Sequence, residues 1–120
     1  MKKNKITKPT WIIHAVFDEN AMAFHTHGLD KYGSLELELN LPLDQKQGMT
    51  FVNLVGLEIA NGKKFKDGDI DNTVFQCNIT FREAKSIFGE NEKILRIILP
   101  DENFKFPWED GCSQPYKSQI

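Results

Sequence analysis

The segment that most constrains the fold is LELELNL, at residues 35–41. Leucines alternate there with polar residues: Leu35, Glu36, Leu37, Glu38, Leu39, Asn40 and Leu41. Successive side chains of a β-strand point to opposite faces of the sheet, so this alternation predicts a strand. One face of the strand belongs in an apolar core, and the other face carries carboxylates and meets solvent.

Three further segments have strand composition. Residues 10–17 (TWIIHAVF) and 21–27 (AMAFHTH) are rich in apolar and aromatic residues, and the connector at 18–20 (DEN) has the composition of a turn. These two segments predict a β-hairpin. Residues 73–81 (TVFQCNITF) alternate again, and residues 94–99 (ILRIIL) predict the last strand before Pro100.

One segment has a clear helical pattern. Between Asp44 and Asn61, apolar residues recur at helical spacing at Met49, Val52, Val55 and Ile59. Two glycines interrupt this pattern, Gly48 and Gly56, and each weakens a helix by roughly 1 kcal/mol relative to alanine. We expect that they let the helix lie close on the sheet.

The remaining segments are short or irregular. Residues 82–88 predict a short helix that ends at Gly89. Residues 101–120 lack periodicity but contain Phe104, Phe106 and Trp108, which predicts an irregular tail docked on the body. Strands grouped around one main helix, without regular alternation, favour an α+β fold with a mostly antiparallel sheet of about five strands.

Composition excludes several classes of protein. A chain of 120 residues with 40% apolar residues fits a single globular domain over 1–120, with a frayed basic start at 1–8. A net charge of −2 predicts no general affinity for nucleic acid or anionic membranes. The chain has no apolar run of about 20 residues and no signal-type segment, so we expect a cytoplasmic protein. Cys77 and Cys112 are too few for a disulfide framework, and we expect Cys77 to be a small buried residue.

The histidines of the hairpin raise the question of a site. A three-residue connector would place Ile13 opposite His25 and Trp11 opposite His27, with His14 on the other face. A one-residue slip of register would reverse these faces, so the exclusion of His14 is conditional.

Two interpretations of this face remain open. The simplest packing of the third strand brings together four potential metal ligands: His25, His27, Glu36 and Glu38. Two imidazoles and a carboxylate are a competent ligand set for zinc or ferrous iron. The same face also carries Trp11, Ile13 and Phe17, so it would equally hold histidines hydrogen-bonded to glutamates under the docked tail. Arg96, the only charge in its strand, is expected to pair with Glu36 or Glu38 or to reach the surface.

Other catalytic and binding motifs are absent from the sequence. The acidic run of Asp67, Asp69 and Asp71 imitates a calcium loop, but Asn72 and Asn78 replace its glycine and its bidentate glutamate, which predicts a solvated turn. The chain has no G-x-S-x-G motif and no phosphate-binding glycine loop. Cys112 has no identifiable base nearby in sequence.

The stretches HTHGL, LELELNLP, ANGKKFKDGD, ILPD and FPWEDG, in this order, resemble a bacterial family of domains of unknown function, number 4262 in its series. The resemblance attaches to the motif residues His25, Thr26, Gly28, Leu29, Pro107 and Trp108. It does not attach to His27, and Glu109 stands where the family pattern has an aspartate. The resemblance implies a turn with its packing partners at these residues and indicates no reaction.

A fainter resemblance is to suppressor-of-fused-like domains, through Gly28, Leu29, Tyr32 and Gly33. Bacterial members of that group are associated with immunity to polymorphic toxins, which implies binding of a protein partner. The sequence therefore predicts a non-enzymatic protein-binding module without a cofactor, with a toxin as one partner class. The alternative is a small metal-dependent enzyme that uses His25 and His27 with Glu36 or Glu38. A third role is assembly through an exposed sheet edge. Neither the oligomeric state nor the identity of a partner is predicted.

Overall fold

The computed structural model describes residues 5–17, 22–86 and 92–119, and within these ranges one α-helix packs on a mixed sheet of six strands. The elements follow one another as β1 (Ile12–Phe17), β2 (Met22–His27), β3 (Leu37–Leu39), α1 (Gln45–Ala60), β4 (Ile70–Asp71), β5 (Ile79–Lys85) and β6 (Lys93–Ile98). Short 3-10 helices cover Asp30–Tyr32 and Tyr116–Gln119. None of the helices in the described ranges is long and apolar enough to cross a membrane.

The sheet has the strand order β1-β2-β3-β6-β5-β4. Four neighbouring pairs are antiparallel, but β3 and β6 at the centre run parallel, with Leu37 opposite Leu95 and Leu39 opposite Ile97. The α+β class is confirmed, whereas the mostly antiparallel sheet of about five strands is corrected to a mixed sheet of six. The parallel pair arises because the chain leaves β3 through α1 and returns to it only with β6, a connection that local sequence patterns do not reveal.

Helix α1 is the element that its sequence predicted best. Asp44 caps the helix, because its carboxylate accepts a hydrogen bond from the N–H of Gln47 at 2.8 Å. The buried side of the helix carries Val52, Val55 and Ile59 and packs on the leucine face of β3. The two helix glycines face aromatic rings. A Cβ added at Gly48 would lie 2.1 Å from the Phe24 ring, and one at Gly56 would lie 2.5 Å from the Trp11 ring. The close approach of helix to sheet is confirmed.

Two predicted elements around β5 are wrong. The strand predicted over 73–81 begins only at Ile79, and Cys77 is half-buried instead of buried. Residues 82–85 of the predicted short helix extend β5, and residues 87 and 88 lie outside the described ranges. The ladder between β5 and β6, which pairs Arg82 with Arg96 and Lys85 with Lys93, overrides the local helical spacing.

The C-terminal tail folds back on itself and contacts the end of β6. The buried Gln119 amide donates to the carbonyl of Leu99 at 2.6 Å and accepts from its N–H at 2.8 Å. The Asp101 carboxylate accepts from the N–H groups of Asn103, Lys105 and Ser113, which folds the tail back on itself. At the other terminus, the backbone of Ile6 forms two hydrogen bonds with the Asn61 side chain; residues 1–4 lie outside the described ranges.

Candidate functional site

The hairpin register decides which histidines share a face. The ladder pairs Phe17 with Met22, and it therefore places His14 opposite His25 and Ile12 opposite His27. The predicted register, with Ile13 opposite His25 and Trp11 opposite His27, is wrong by one residue. Because opposed residues share a face, His14 lies on the same face as His25 and His27, and not on the other face as predicted. Ile13 and Trp11 instead pack with the core on the helix side.

The three histidines form a row across β1 and β2. The ring centroids of His14 and His27 are 4.5 Å apart, and those of His25 and His27 are 4.6 Å apart. His14 and His27 are exposed, whereas His25 is 1% exposed. The row therefore runs from solvent into a buried polar network on the sheet face opposite α1.

The buried carboxylate of Glu38 is the centre of that network. It accepts hydrogen bonds from the Ser86 hydroxyl at 2.8 Å and from the Arg96 guanidinium at 3.1 Å. Nδ1 of His25 lies 3.4 Å from the same carboxylate, and Nε2 lies 3.5 Å from a carboxylate oxygen of Glu92. The sheet register produces this arrangement, since Glu38 pairs with His25 on one side and with Arg96 on the other. The predicted pairing of Arg96 with a strand glutamate is confirmed for Glu38.

The network changes the acidity of its members. Burial by itself would lower the pKa of His25, but the hydrogen bond to Glu38 and the charges of Glu92, Glu38 and Glu36 raise it above the ordinary value. Burial by itself would raise the pKa of Glu38, but hydrogen bonds from His25, Ser86 and Arg96 lower it. The two groups therefore favour their charged forms in each other's presence.

A serine, a histidine and a carboxylate meet here, but not as a nucleophile with its base. The Ser86 hydroxyl donates to Glu38, and Nδ1 of His25 is 3.4 Å from both the hydroxyl and the carboxylate. A catalytic triad instead needs the histidine between the other two and a hydroxyl that substrate can reach. Ser86, His25 and Glu38 are all buried. The geometry is that of a buried network of hydrogen bonds and ion pairs.

Glu36 lies apart from this network and organises the turn after β2. Its carboxylate accepts from the Thr26 hydroxyl at 2.9 Å and from the N–H groups of Gly28, Leu29 and Asp30 at 3.0 to 3.3 Å. Gly28 has φ 122°, and a Cβ there would lie 3.1 Å from the Trp11 backbone. The turn explains why Thr26, Gly28 and Leu29 occur together in the HTHGL motif.

The four predicted metal ligands thus divide between two places. His25 and Glu38 are in contact, and His27 stacks beside His25, but Glu36 is held at the turn. In the described part of the chain, no group of three or more His, Cys, Asp or Glu side chains is arranged to hold a metal ion. The assignment of His25, His27, Glu36 and Glu38 to a metal stays a prediction.

Neither the acidic run nor the two cysteines have the features of a catalytic site. Asp71 is buried, contrary to the predicted solvated turn, and it bonds to the Lys63 ammonium at 2.6 Å. Hydrogen bonds from Lys63 and Thr73 outweigh its burial and lower the pKa of Asp71 to about 2. Burial raises the pKa of both Cys77 and Cys112, so neither is an activated thiolate.

The FPWEDG motif attaches the tail to the sheet. Pro107 is buried, and the Trp108 ring stacks on Phe106 with ring centroids 5.1 Å apart. The Arg82 guanidinium of β5 lies 4.4 Å from the centroid of the Trp108 ring. This motif therefore covers part of the second sheet face, although Trp108 stays 46% exposed.

A surface that the sequence reading missed runs from α1 to the tail. Three adjoining depressions, of about 320, 720 and 210 Å³, share Phe51 and Phe75 at one junction and Gln76 and Cys77 at the next. We call this surface the aromatic groove; it is lined by Lys46, Gln47, Thr50, Phe51, Leu54, residues 72–78, Leu99, Pro100, Phe104 and Phe106. The apolar residues of the segment 73–81 are the signal for this surface, but their alternation predicts a strand and does not indicate a groove.

Comparison with known proteins identifies the family of the chain through one family model. No curated protein and no solved structure matches the chain. The family model described as "Domain of unknown function (DUF4262)" matches residues 5–113, which include the Glu36-bound turn, α1, the acidic loop and the Pro107-Trp108 corner. The chain therefore belongs to the DUF4262 family.

Proposed function

We propose that this domain binds another protein and that the aromatic groove receives an apolar, extended segment of that partner. The observation that carries the proposal is the charge content of the groove: of its sixteen lining residues, only Lys46 is charged. At the chain's average of 27% charged residues, sixteen positions would hold about four. Depletion of charge together with exposed aromatic residues is typical of the centre of a protein interface.

The polar residues of the groove suit a peptide backbone. Asn72, Gln76 and Asn78 line the middle and one end of the groove, and their amide side chains both donate and accept hydrogen bonds. An extended segment presents unpaired N–H and C=O groups that such side chains can satisfy, while alternate side chains enter apolar depressions. Phe51 and Phe75, with ring centroids 4.5 Å apart, form the wall between two of these depressions.

Phe104, at the tail end of the groove, is an unusual residue for a surface without a partner. It is 71% exposed, and it is the one non-glycine residue of the described ranges with a positive φ, at 62°. This backbone region costs an ordinary residue of order 1 kcal/mol or more. An exposed aromatic ring held at that cost is more typical of a recognition residue than of one that packs the fold.

Binding is favoured over catalysis by the chemistry of the described residues. The Glu38 carboxylate is occupied by hydrogen bonds from Ser86 and Arg96, and burial raises the pKa of both thiols. The groove itself contains no acid, no histidine and no activated nucleophile. These features support recognition of a partner, and location in the cytoplasm remains part of the proposal.

Selection from a random-peptide display library tests the proposal. Peptides that are enriched on the wild-type domain are expected to be apolar and to lose at least about tenfold in affinity on Phe75→Ser and on Leu54→Gln. Ile12→Ser is the matched control, because Ile12 is 60% exposed and lies on β1, at the opposite edge of the sheet from β4 and β5. Enriched peptides that bind all three variants equally would refute the groove, and a library without enriched peptides would refute peptide recognition.

A toxin is the partner class that the suppressor-of-fused resemblance implies. Co-expression of the domain with a toxin encoded beside it is expected to restore growth of the host cell. Phe75→Ser should remove this protection, whereas Ile12→Ser should retain it. Protection that survives Phe75→Ser would place the immunity function on another surface.

A further inference from the structure

A second concave site lies at the other end of the sheet and has a different character. It is a cleft of about 390 Å³ between the turn after β2, the loop after α1 and the starts of β3 and β6. We refer to it as the lysine cleft. Its floor is lined by Leu35, Ile59, Phe65 and Leu95, and its rim carries three lysines and two acidic residues. Its volume lies within the range of small-molecule sites in proteins.

The floor of the lysine cleft is apolar and firmly held. Ile59 and Leu95 are core residues of α1 and β6. The Phe65 ring stacks on the buried Phe81 ring with a centroid distance of 4.3 Å, which fixes one wall to the sheet. The N–H of Gly68 bonds to the carbonyl of Phe81 at 2.7 Å and anchors the same loop. A preformed apolar floor lowers the entropic cost of binding.

Some of the charged side chains at the rim form ion pairs and others do not. Lys63 is paired with Asp71, and Glu83 is paired with Lys93. The Asp67 carboxylate accepts from the N–H of Glu83 at 2.8 Å. By contrast, the ammonium groups of Lys64 and Lys66 form no ion pair with any described residue, and both side chains are exposed. After these pairings the rim carries Lys64 and Lys66 together with the Asp67 carboxylate, so a net positive charge lies above an apolar floor.

From this arrangement we infer that the lysine cleft binds a small amphipathic carboxylate, with its apolar body on Leu35, Ile59, Phe65 and Leu95 and its carboxylate at Lys64 and Lys66. Two lysines in the lining of an apolar cleft favour an acid over the corresponding alcohol, because only the ionised acid gains a charge interaction there. The inference is independent of the aromatic groove, whose lining shares no residue with this cleft.

Amide NMR titration of the 120-residue chain with 4-phenylbutyrate, and with 4-phenylbutan-1-ol as the neutral analogue, tests the inference. The acid is expected to give saturable shifts at Gly33, Leu35, Phe65 and Lys66, and to bind several-fold more tightly than the alcohol. The double variant Lys64→Gln/Lys66→Gln should weaken binding of the acid by about tenfold and leave the alcohol unchanged. Lys117→Gln, at an exposed position of the tail outside both concave surfaces, is the control and should change neither.

Four results would overturn the inference. The first is the absence of saturable shifts at the cleft, and the second is equal affinity for acid and alcohol. The third is an affinity for the acid that the double lysine variant leaves unchanged. Shifts confined to Phe51, Phe75 and Phe104 would likewise overturn it, and would show that the probe binds the aromatic groove instead.

Discussion

The contact between Gly48 of α1 and the Phe24 ring of β2 provides a sharp test of how the helix lies on the sheet. In a Gly48→Ala variant the new Cβ would lie 2.1 Å from Cζ of Phe24, where ordinary van der Waals contact begins at 3.4 Å. Helix and ring must therefore separate by more than about 1 Å, and Phe24 is fully buried, so it has no solvent side into which to move.

The expected magnitude follows from two opposing terms. Overpacking of a core costs about 1–3 kcal/mol, whereas alanine in place of glycine within a helix favours folding by about 1 kcal/mol. The difference between the two terms is about 0–2 kcal/mol, and the 2.1 Å contact puts the expected loss in the free energy of unfolding for Gly48→Ala near the upper end of that range. Urea denaturation followed by far-UV circular dichroism measures this change. Gln47→Ala, at an exposed neighbouring position, is the control and should change stability by less than about 0.5 kcal/mol.

A double-mutant cycle identifies the cause. Phe24→Leu removes the ring atoms that Gly48→Ala would strike, so the double variant should be more stable than the sum of the single effects by about 1 kcal/mol or more. Additive effects would show that the loss has another origin. A Gly48→Ala variant more stable than wild type would refute the close packing of α1 on Phe24 altogether.

Three further predictions concern the turn, the polar network and the tail. Gln at position 36 cannot accept from all the N–H groups of the turn, so Glu36→Gln should lower the free energy of unfolding in urea denaturation by about 1–3 kcal/mol. Glu83→Gln, which breaks an exposed ion pair, is the control and should lower it by less than about 1 kcal/mol. Equal losses would contradict the role of Glu36. The pKa of His25 is raised in the folded protein, so this group contributes stability that is fully present below pH 6.5 and is lost as pH rises through its folded-state pKa. The pKa of Glu38 is lowered, so this group contributes stability that is fully present above pH 4.5 and is lost as pH falls through its folded-state pKa. Unfolding free energy should therefore be highest between these two pH values, and the deficit of His25→Gln should shrink above pH 6.5; a deficit independent of pH would contradict this. Phe104→Gly should leave the free energy of unfolding unchanged or raise it by up to about 1 kcal/mol, because glycine adopts a φ of 62° without strain. The same variant should weaken binding of the selected peptides. A loss of more than about 1 kcal/mol in the free energy of unfolding would show that the ring packs in the fold.

Local patterns predicted the elements whose formation depends on nearby residues. The capped, glycine-containing helix α1 and the leucine face of β3 follow from spacing and capping within one segment. The same holds for the existence of the first hairpin. By contrast, the segment at 82–85 has helical spacing but becomes a strand, because the free energy of its pairing with β6 comes from residues outside the segment.

The candidate site was predictable only in part. Its residue types were visible, and His25, Glu38 and Arg96 meet as the sequence suggested they could. The predicted faces of His14 and Ile13 were reversed by a one-residue change of register, since alternate positions on a strand point to opposite sides. Glu36 could not be separated from Glu38 by sequence, because both lie on the same side of the alternation and differ only in what surrounds them.

The sequence by itself thus determined the periodic elements, the charge balance and the family motif, because each depends on residue types at fixed short spacings. Only the tertiary structure decided the parallel pairing of β3 with β6, the row of three histidines and the two concave surfaces. The aromatic groove joins Leu54 on α1 to Phe104 in the tail, and the lysine cleft joins Leu35 to Leu95. Contacts between residues so distant in sequence depend on strand order and register, and these are set by the packing of the whole sheet against one helix.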